Sequence, residues 1–458
     1  MHLILHFLLF YDTIRINLSL VNGEVRMLQK QKTGLQILAA VLVLIFLAAA
    51  GVSGWYWYDS HVDRSGWVEM DGTYWYRDFH NQNVTGWQEI NGKTYFFEND
   101  GIMQTGWLSR NGQRYYLDTD GTLVTGWFQL QDRRYHFNEK GEMETGLLKD
   151  GDGLYYLSDE GVMVTGLQQL EAGTYYFTEE GPAVTGAFTM EGRNYFFSPD
   201  GTMQTGWVQQ EDGRHYYLSD GTMAYGFQEI DGSIYYLEPD SGLPHVGWYS
   251  EGEYSYYFND DGAAATGPRE IDGQQYYFSP KGIYVLLVNA SNPIPDYYDP
   301  DLVTLVDWYR ISKICLEPMK QMLKDCRDAG NNIKINSIYR SGKNQAAIME
   351  ERLDQYMNNG MPYEQAYAKV LEIVAPPGTS EHETGLSADL VGEDAKKWLS
   401  EHCWEYGFIL RYPPEKAEIT GIMFEPWHFR YVGKEVSMDM KDTGLCLEEY
   451  LGAGPAKK

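Results

Sequence analysis

A chain of 458 residues is too long for one ordinary core, so two or more units are expected. Its formal net charge of −29 argues against nucleic acid as a partner, because phosphate binding needs clustered Lys and Arg. The 37 Tyr and 48 Gly point instead to a repeat with one aromatic cluster and one tight turn per copy.

Residues 1–34 hold a short apolar run, Leu3 to Phe10, and no globular pattern; they read as a cytoplasmic segment whose true start is Met27. Residues 35–57 are expected to form a transmembrane anchor. From Leu35 to Val52 the one polar residue is Gln36, and with Trp55-Tyr56-Trp57 the run is long enough to span a bilayer. Lys30 and Lys32 mark the cytoplasmic side, and the Trp/Tyr cluster suits the outer interface. A cleaved signal peptide is the alternative, with a small-residue site at Ala48-Ala49-Ala50. The apolar run exceeds the roughly 7–15 residues of a usual signal core, which favours the anchor. On either reading the remainder is exported.

Residues 65–282 repeat. Gly66, Gly86, Gly106, Gly126, Gly146, Gly166, Gly186, Gly206 and Gly226 follow one another at twenty residues, then Gly247 after twenty-one and Gly267 after twenty. In a clean copy, Thr105-Gly106-Trp107 leads through a Gly turn to Tyr115-Tyr116-Leu117 and then Asp120-Gly121. Two short strands around a Gly turn make a β-hairpin, and one hairpin cannot bury its aromatics alone, so the copies should stack as a solenoid. These copies resemble the cell-wall-, choline- and glucan-binding repeats of Gram-positive surface proteins and the receptor-binding repeats of clostridial toxins. Choline-binding repeats commonly carry Trp just before the Tyr-Tyr pair. Here that position holds Thr94, Arg114, Arg134, Leu154, Thr174 and Asn194, while Leu147, Leu167, Ala187 and Pro268 replace the other Trp. A cation cage needs several aromatic faces. The resemblance therefore implies a cell-wall glycan or teichoic acid ligand, with carbohydrate preferred to choline and most of the aromatics serving as solenoid core.

After Gly282 the period stops, and residues 284–436 read as an α+β domain followed by a C-terminal tail, 437–458. Tyr284–Val288 is expected as a strand, Asp301–Arg327 as mostly helix, and Ile333–Ile338 as a strand that delivers Arg340. Gln345–Asn358 and Asp394–Glu405 are expected as two further helices. The four cysteines, Cys315, Cys326, Cys403 and Cys446, contain no Cys-x-x-Cys pair and are expected as buried thiols, with one cross-helix disulfide as the alternative.

The chemistry concentrates in two stretches, Ser380-Glu381-His382-Glu383-Thr384-Gly385-Leu386-Ser387-Ala388-Asp389 and Glu425-Pro426-Trp427-His428. Together they supply two histidines, an aspartate and a spare glutamate, the donor set of a catalytic zinc site whose fourth position is left to water. Gly385 argues against one helix across the first stretch, so His382 is placed in a turn and Asp389 on the strand Ala388–Val391. Alternation sets His428 on the face opposite Trp427, Phe429 and Tyr431. It also turns Glu381 and Glu383 away from His382, as solvated carboxylates. His402 reads as structural or exposed.

Ser-x-His-x-x-Gly-x-x-x-Asp followed by Glu-x-Trp-His resembles the signature of VanY-type D-alanyl-D-alanine carboxypeptidases, zinc peptidases of the DD-peptidase/Hedgehog fold. The likeness continues through Arg411-Tyr412-Pro413, Ile419-Thr420-Gly421 and Phe424, and upstream at Ser337-Ile338-Tyr339-Arg340-Ser341. It implies His382, Asp389 and His428 as zinc ligands, Glu425 as catalytic base, Arg340 as the arginine that steadies the scissile carbonyl or substrate carboxylate, and Ser380 as a substrate contact. Ser387 stands where the family often has Ala. The implied activity is removal of the terminal D-alanine from peptidoglycan stem peptides. The alternatives are an endopeptidase on the same fold and a wall adhesin whose peptidase-like domain only binds.

Overall fold

The computed structural model describes residues 36–50 and 65–457. Residues 36–50 are helical, with apolar side chains exposed along their length. Among the described residues no helix is long and apolar enough to cross a membrane; the rest of the expected anchor, like residues 1–34, lies outside them. The chain divides into two compact units, Met1–Gly166 with Phe177–Ala183, and Leu167–Tyr176 with Val184–Lys458.

Each unit uses the same hairpin. In one copy, Gly106–Arg110 pairs antiparallel with Gln113–Leu117. Asn111 and Gly112 between them have φ of 53° and 79°, the double left-handed conformation of the turn that matches strand twist. Leu117 then bridges Leu123, whose amide donates to Thr94 O of the preceding hairpin at 2.8 Å. A lone two-stranded hairpin is marginal in water. Here every copy after the first closes on a fully buried apolar residue: Phe97, Leu117, Phe137, Leu157 and Phe177 in the first unit, and Phe197, Tyr217, Leu237, Phe258 and Phe278 in the second. Burying each such side chain is worth about 1.5–3 kcal/mol, which makes stacking the source of stability. The twenty-one-residue step is absorbed in one turn: Leu237 bridges Pro244, one residue further along than Leu117 reaches to Leu123.

In the second unit the hairpins run into an α+β domain. Its strands are β1 (Leu302–Val306), β2 (Tyr309–Ser312), β3 (Lys334–Ser337), β4 (Ser387–Val391), β5 (Phe408–Leu410) and β6 (His428–Tyr431). β3 to β6 form one antiparallel sheet in the order β3-β4-β6-β5. Helix α1 (Leu316–Asp328) lays Met319, Met322, Leu323 and Cys326 on this sheet, against Ala388, Leu390, Phe408 and Phe429. Helix α2 (Gly342–Asn358) starts at Ser341, whose hydroxyl caps the Asn344 amide. α3 (Tyr363–Leu371) was not anticipated; α4 (Glu393–His402) seats Ala395 and Leu399 in the same core.

Three expectations are corrected. Asp301–Arg327 is helical only from Lys313 onward: the residues before it form the β1–β2 hairpin, because β-branched Val303, Thr304 and Val306 favour a pleated surface and Asp307 takes φ 52° at the turn. Tyr284–Val288 makes one isolated bridge, Phe278 with Tyr284, instead of a strand; Val285 and Leu287 are buried by packing. Residues 437–458 are no tail. Helices α5 (Lys434–Met440) and α6 (Leu447–Tyr450) bury Val436, Met440, Leu447 and Leu451 against Ile283, Val285 and Leu287. The four cysteines are buried free thiols.

Candidate active site

The sheet register makes the first pairing. Asp389 on β4 lies directly opposite His428 on β6, and Ser337 on β3 lies opposite Asp389 on its other side. His382 comes from the single 3-10 turn Glu381–Thr384, which Gly385 ends at φ 72°. A Cβ at Gly385 would meet the Leu302 side chain at 2.6 Å and the Ser312 amide at 3.0 Å, so glycine is required there for both conformation and space. This turn brings the His382 and His428 rings to 4.8 Å, centroid to centroid.

Ligand atoms of His382, Asp389 and His428 lie within 4.8 Å of one another, and all three residues are buried. Burial lowers the His382 imidazole from its ordinary value, so it is neutral, and its Nδ1–H donates to Ile338 O at 2.6 Å. That leaves the Nε2 lone pair facing Asp389 and His428. Asp389 Oδ1 is buried without a hydrogen-bond partner, 3.3 Å from His428 Nδ1. Burial opposes its charge, but the charged His428 imidazole beside it holds the Asp389 carboxyl far below the usual range. Two imidazole nitrogens and an orphaned carboxylate oxygen, converging without a thiol, fit one divalent metal of the zinc class.

Behind the site stands a charged layer that sequence reasoning missed. Glu381 is buried, not solvated: Arg411 Nε donates to Oε1 at 2.7 Å and Arg430 Nη1 at 2.8 Å, while Ser387 Oγ donates to Oε2 at 3.0 Å. Oε2 is also 3.5 Å from His428 Nε2, the ring nitrogen turned away from the cluster. Burial disfavours the Glu381 charge, yet the two guanidiniums overcome it and hold the carboxyl well below its ordinary value. Arg411 in turn grips Glu448 of α6 through both Nη atoms, at 2.9 and 2.6 Å. Alternation failed here because Glu381 sits in a 3-10 turn, where period two does not hold. Glu383 is half-buried, and its carboxylate accepts from the Gly378 amide at 2.8 Å.

Glu425 lies on the loop before β6, with Oε2 3.5 Å from His428 Nδ1. Burial raises its carboxyl to about 7, against the pull of His428. On the opposite side, Arg340 donates from Nε to Ser337 Oγ at 2.8 Å, from Nη1 to Gln345 Oε1 at 3.2 Å, and from Nη2 to Asp389 Oδ2 at 2.8 Å and His382 Nε2 at 3.0 Å. Gln345, itself buried, donates to Ala375 O at 2.7 Å and so ties Arg340 to the Ala375–Gly378 approach. Ser380 is buried at the N-terminal edge of the His382 turn. His402, at the end of α4, stacks on Trp398 and contacts Glu405, away from the cluster.

Comparison with known proteins agrees with this geometry. Residues 309–434 match the VanY model, described as D-alanyl-D-alanine carboxypeptidase. Residues 84–123 and 184–219 match a choline-binding repeat, and 125–143 and 246–264 a putative cell wall binding repeat. A D-alanyl-D-alanine carboxypeptidase of Enterococcus faecalis (strain ATCC 700802 / V583) is 43% identical over 175 residues, 36% of this chain and 65% of the relative, a little under two thirds of its length. The bifunctional D-Ala-D-Ala dipeptidase and D-Ala-D-Ala carboxypeptidase VanXYC of Enterococcus gallinarum is 36% identical over 184 residues, 36% of this chain and 91% of the relative. A crystal structure of a VanY D,D-pentapeptidase variant from a VanB-type resistance cassette, in complex with Zn(II), is 41% identical, covering 36% of this chain and 97% of that one with a TM-score of 0.35. Through its C-terminal domain, this chain belongs to the VanY family of D-alanyl-D-alanine carboxypeptidases.

Proposed function

We propose that this protein is a membrane-anchored, cell-wall-associated zinc D-alanyl-D-alanine carboxypeptidase that removes the terminal D-Ala from peptidoglycan stem peptides. The observation that carries the reading is the convergence of His382, Asp389 and His428 beside a carboxylate, Glu425, poised near neutrality. A module that only bound wall would have no use for that carboxylate. The named activities of the enterococcal relatives support the same substrate class.

His382, Asp389 and His428 would hold the metal, which when bound supplies Lewis acidity toward the scissile carbonyl and acidifies a water. Glu425 takes the proton of the attacking water and returns it to the leaving amine; a pKa near the working pH suits both transfers. Arg340, fixed by Ser337 and Gln345, presents its guanidinium to the carbonyl or terminal carboxylate oxygen. Ser380 lies at the same edge and contacts the peptide. His428 is kept in orientation by Glu381, and His382 by Ile338 O.

The repeats hold the enzyme against wall glycan or teichoic acid. The helix at residues 36–50, with Ile37, Leu42, Leu44, Phe46 and Leu47 all more than half exposed, supports a membrane anchor with repeats and catalytic domain outside the cell. Mass spectrometry of a stem pentapeptide incubated with the full chain tests the activity: loss of a single D-alanine is expected, and release of a dipeptide or cleavage at an internal bond counts against it. The hairpins are expected to pull down with purified walls and to be competed off better by soluble glycan than by choline.

A further inference from the structure

The hairpins carry a second chemistry that the site above does not use. Six copies have Trp one residue after the turn glycine: Trp67, Trp87, Trp107, Trp127, Trp207 and Trp248. Each of these indoles also lies about 5 Å from a Tyr of the next hairpin, at 5.1 Å for Trp107 with Tyr135, 4.8 Å for Trp127 with Tyr155 and 5.1 Å for Trp207 with Tyr235. A wall of two electron-rich rings is a cation site in form.

In three copies a cation is already there. The guanidinium carbon of Arg114 sits 4.2 Å from the Trp107 ring centroid, that of Arg134 4.4 Å from Trp127, and that of Arg214 4.2 Å from Trp207. Arg214 lies over Tyr235 as well, at 5.8 Å. All three come from the same place, eight residues after the turn glycine on the second strand of the hairpin. All three are pinned from the far side too: Arg114 donates to Glu160 O at 3.4 Å, Arg134 to Glu180 O at 3.3 Å, and Arg214 to Asp261 O. Each acceptor lies two repeats further along the chain. One repeated position, one ring partner and one backbone acceptor make a built arrangement and not three chance surface contacts.

We propose that these three aromatic sites are filled by the protein's own guanidinium groups, which act as internal ligands and close the sites to an external cation. This rests on the reading of the hairpins as wall-binding repeats and sharpens it. Quaternary ammonium ligands are excluded from the Trp107, Trp127 and Trp207 sites. Any cation binding by the repeats is confined to copies where Tyr74, Thr94 or Ser255 stands at the arginine position, beside Trp67, Trp87 and Trp248. Of these, the first copy alone carries an aromatic residue, Tyr74, at the arginine position, where it is 39% exposed.

The test copies the first hairpin's residue into the closed sites. In the full chain, Arg114→Tyr/Arg134→Tyr/Arg214→Tyr should titrate with choline chloride to a stoichiometry up to three sites per chain higher than the unaltered protein, by calorimetry, with an unchanged circular dichroism spectrum. A folded variant with no added site overturns the proposal, as does unaltered protein that takes up six equivalents. A second measurement needs no variant. The side-chain Nε–H resonances of Arg114, Arg134 and Arg214, shifted by the indole rings, should not move when choline chloride or tetramethylammonium is added to the unaltered protein. Displacement of those resonances would show that the sites are open. Catalysis is untouched by either outcome, and failure of wall binding as a whole would appear separately, as loss of pull-down by the unaltered hairpins.

Discussion

Asp389 and His428 face each other across two antiparallel strands, with Asp389 Oδ1 3.3 Å from His428 Nδ1. A register slip of one residue would turn either side chain to the other face of the sheet, so the strand pairing that builds the core also builds the donor set. The full chain should bind one zinc equivalent. His428→Ala should abolish it and Asp389→Asn should weaken it strongly, by metal analysis after gel filtration. Undiminished zinc in His428→Ala would remove His428 from the ligand set.

Metal uptake should also release a proton. Burial opposes charge on His428, but its contacts with Asp389 and Glu381 raise the imidazole to about 9 in the metal-free protein. Below that pH the free ring is charged, and it must be neutral to bind metal. Zinc binding at pH 7 should thus displace about one proton from this ring, and affinity should rise as pH climbs toward 9. Calorimetry in buffers of different ionisation enthalpy reads the proton count; a count of zero would contradict the raised value.

Much of this site was readable in the sequence and some of it was not, for physical reasons. His382, Asp389, Glu425, His428 and Arg340 stand in short ordered motifs, and the structure brings all five together. The hairpins were legible because a Gly turn and an aromatic strand recur at a fixed period. Glu381, Arg411, Arg430 and Glu448 were not, because a buried ion-pair network is a tertiary arrangement with no spacing of its own. Glu448 reaches Arg411 from 37 residues away, out of a stretch that reads as a polar tail. The β1–β2 hairpin was missed because Leu302, Leu305, Val306 and Tyr309 fit a helical period as well as a strand, and the turn at Asp307 decides between them.

Glu381→Gln should be severe. The change leaves Arg430 without its carboxylate and Arg411 with Glu448 alone, in a site from which water is excluded. Breaking a buried ion pair on one side costs about 3–5 kcal/mol. Thermal unfolding should show a large drop, and zinc affinity should fall as His428 loses its orienting carboxylate. Glu383→Gln keeps the acceptor oxygen for Gly378 and should stay within about 1 kcal/mol. Equal effects of the two changes would mean that Glu381 does not anchor the site.

Glu425→Gln tests the base. Glutamine has nearly the same shape and leaves His382, Asp389 and His428 in place, so zinc content and unfolding temperature should hold. Turnover should fall by a factor on the order of 10² or more, as expected when a positioned proton-transfer group is lost. Retained turnover would move proton transfer elsewhere, and Glu383 would be the next carboxylate to examine, because Glu381 is already committed to two guanidiniums.

The last prediction concerns which end of the peptide is read. A carboxypeptidase must recognise a free terminal carboxylate, and burying that charge requires a cationic, multi-donor partner. Arg340 is placed for this, but it is not idle. Four donor contacts hold its Nε, Nη1 and Nη2 against Ser337, Gln345, Asp389 and His382. A guanidinium has five N–H groups, so one on Nη1 remains for substrate, and the Nη2 N–H that meets His382 Nε2 is released when that lone pair is given to metal, which makes a two-point grip available. Lysine has a single nitrogen and cannot satisfy Ser337 and Gln345 while reaching an oxygen of the peptide. Arg340→Lys should therefore lose at least one charged hydrogen bond, worth about 1.5–3 kcal/mol, or roughly ten- to hundredfold in kcat/KM. Arg352→Lys, on the exposed face of α2 with Gln355 as its partner, should change nothing measurable. Amidating the terminal D-alanine removes the charge that Arg340 reads and should abolish cleavage by the unaltered enzyme. If the amide is cut as fast as the free acid, the carboxylate is not being recognised, Arg340 serves only the scissile carbonyl, and an endopeptidase acting on internal stem-peptide bonds replaces the carboxypeptidase reading.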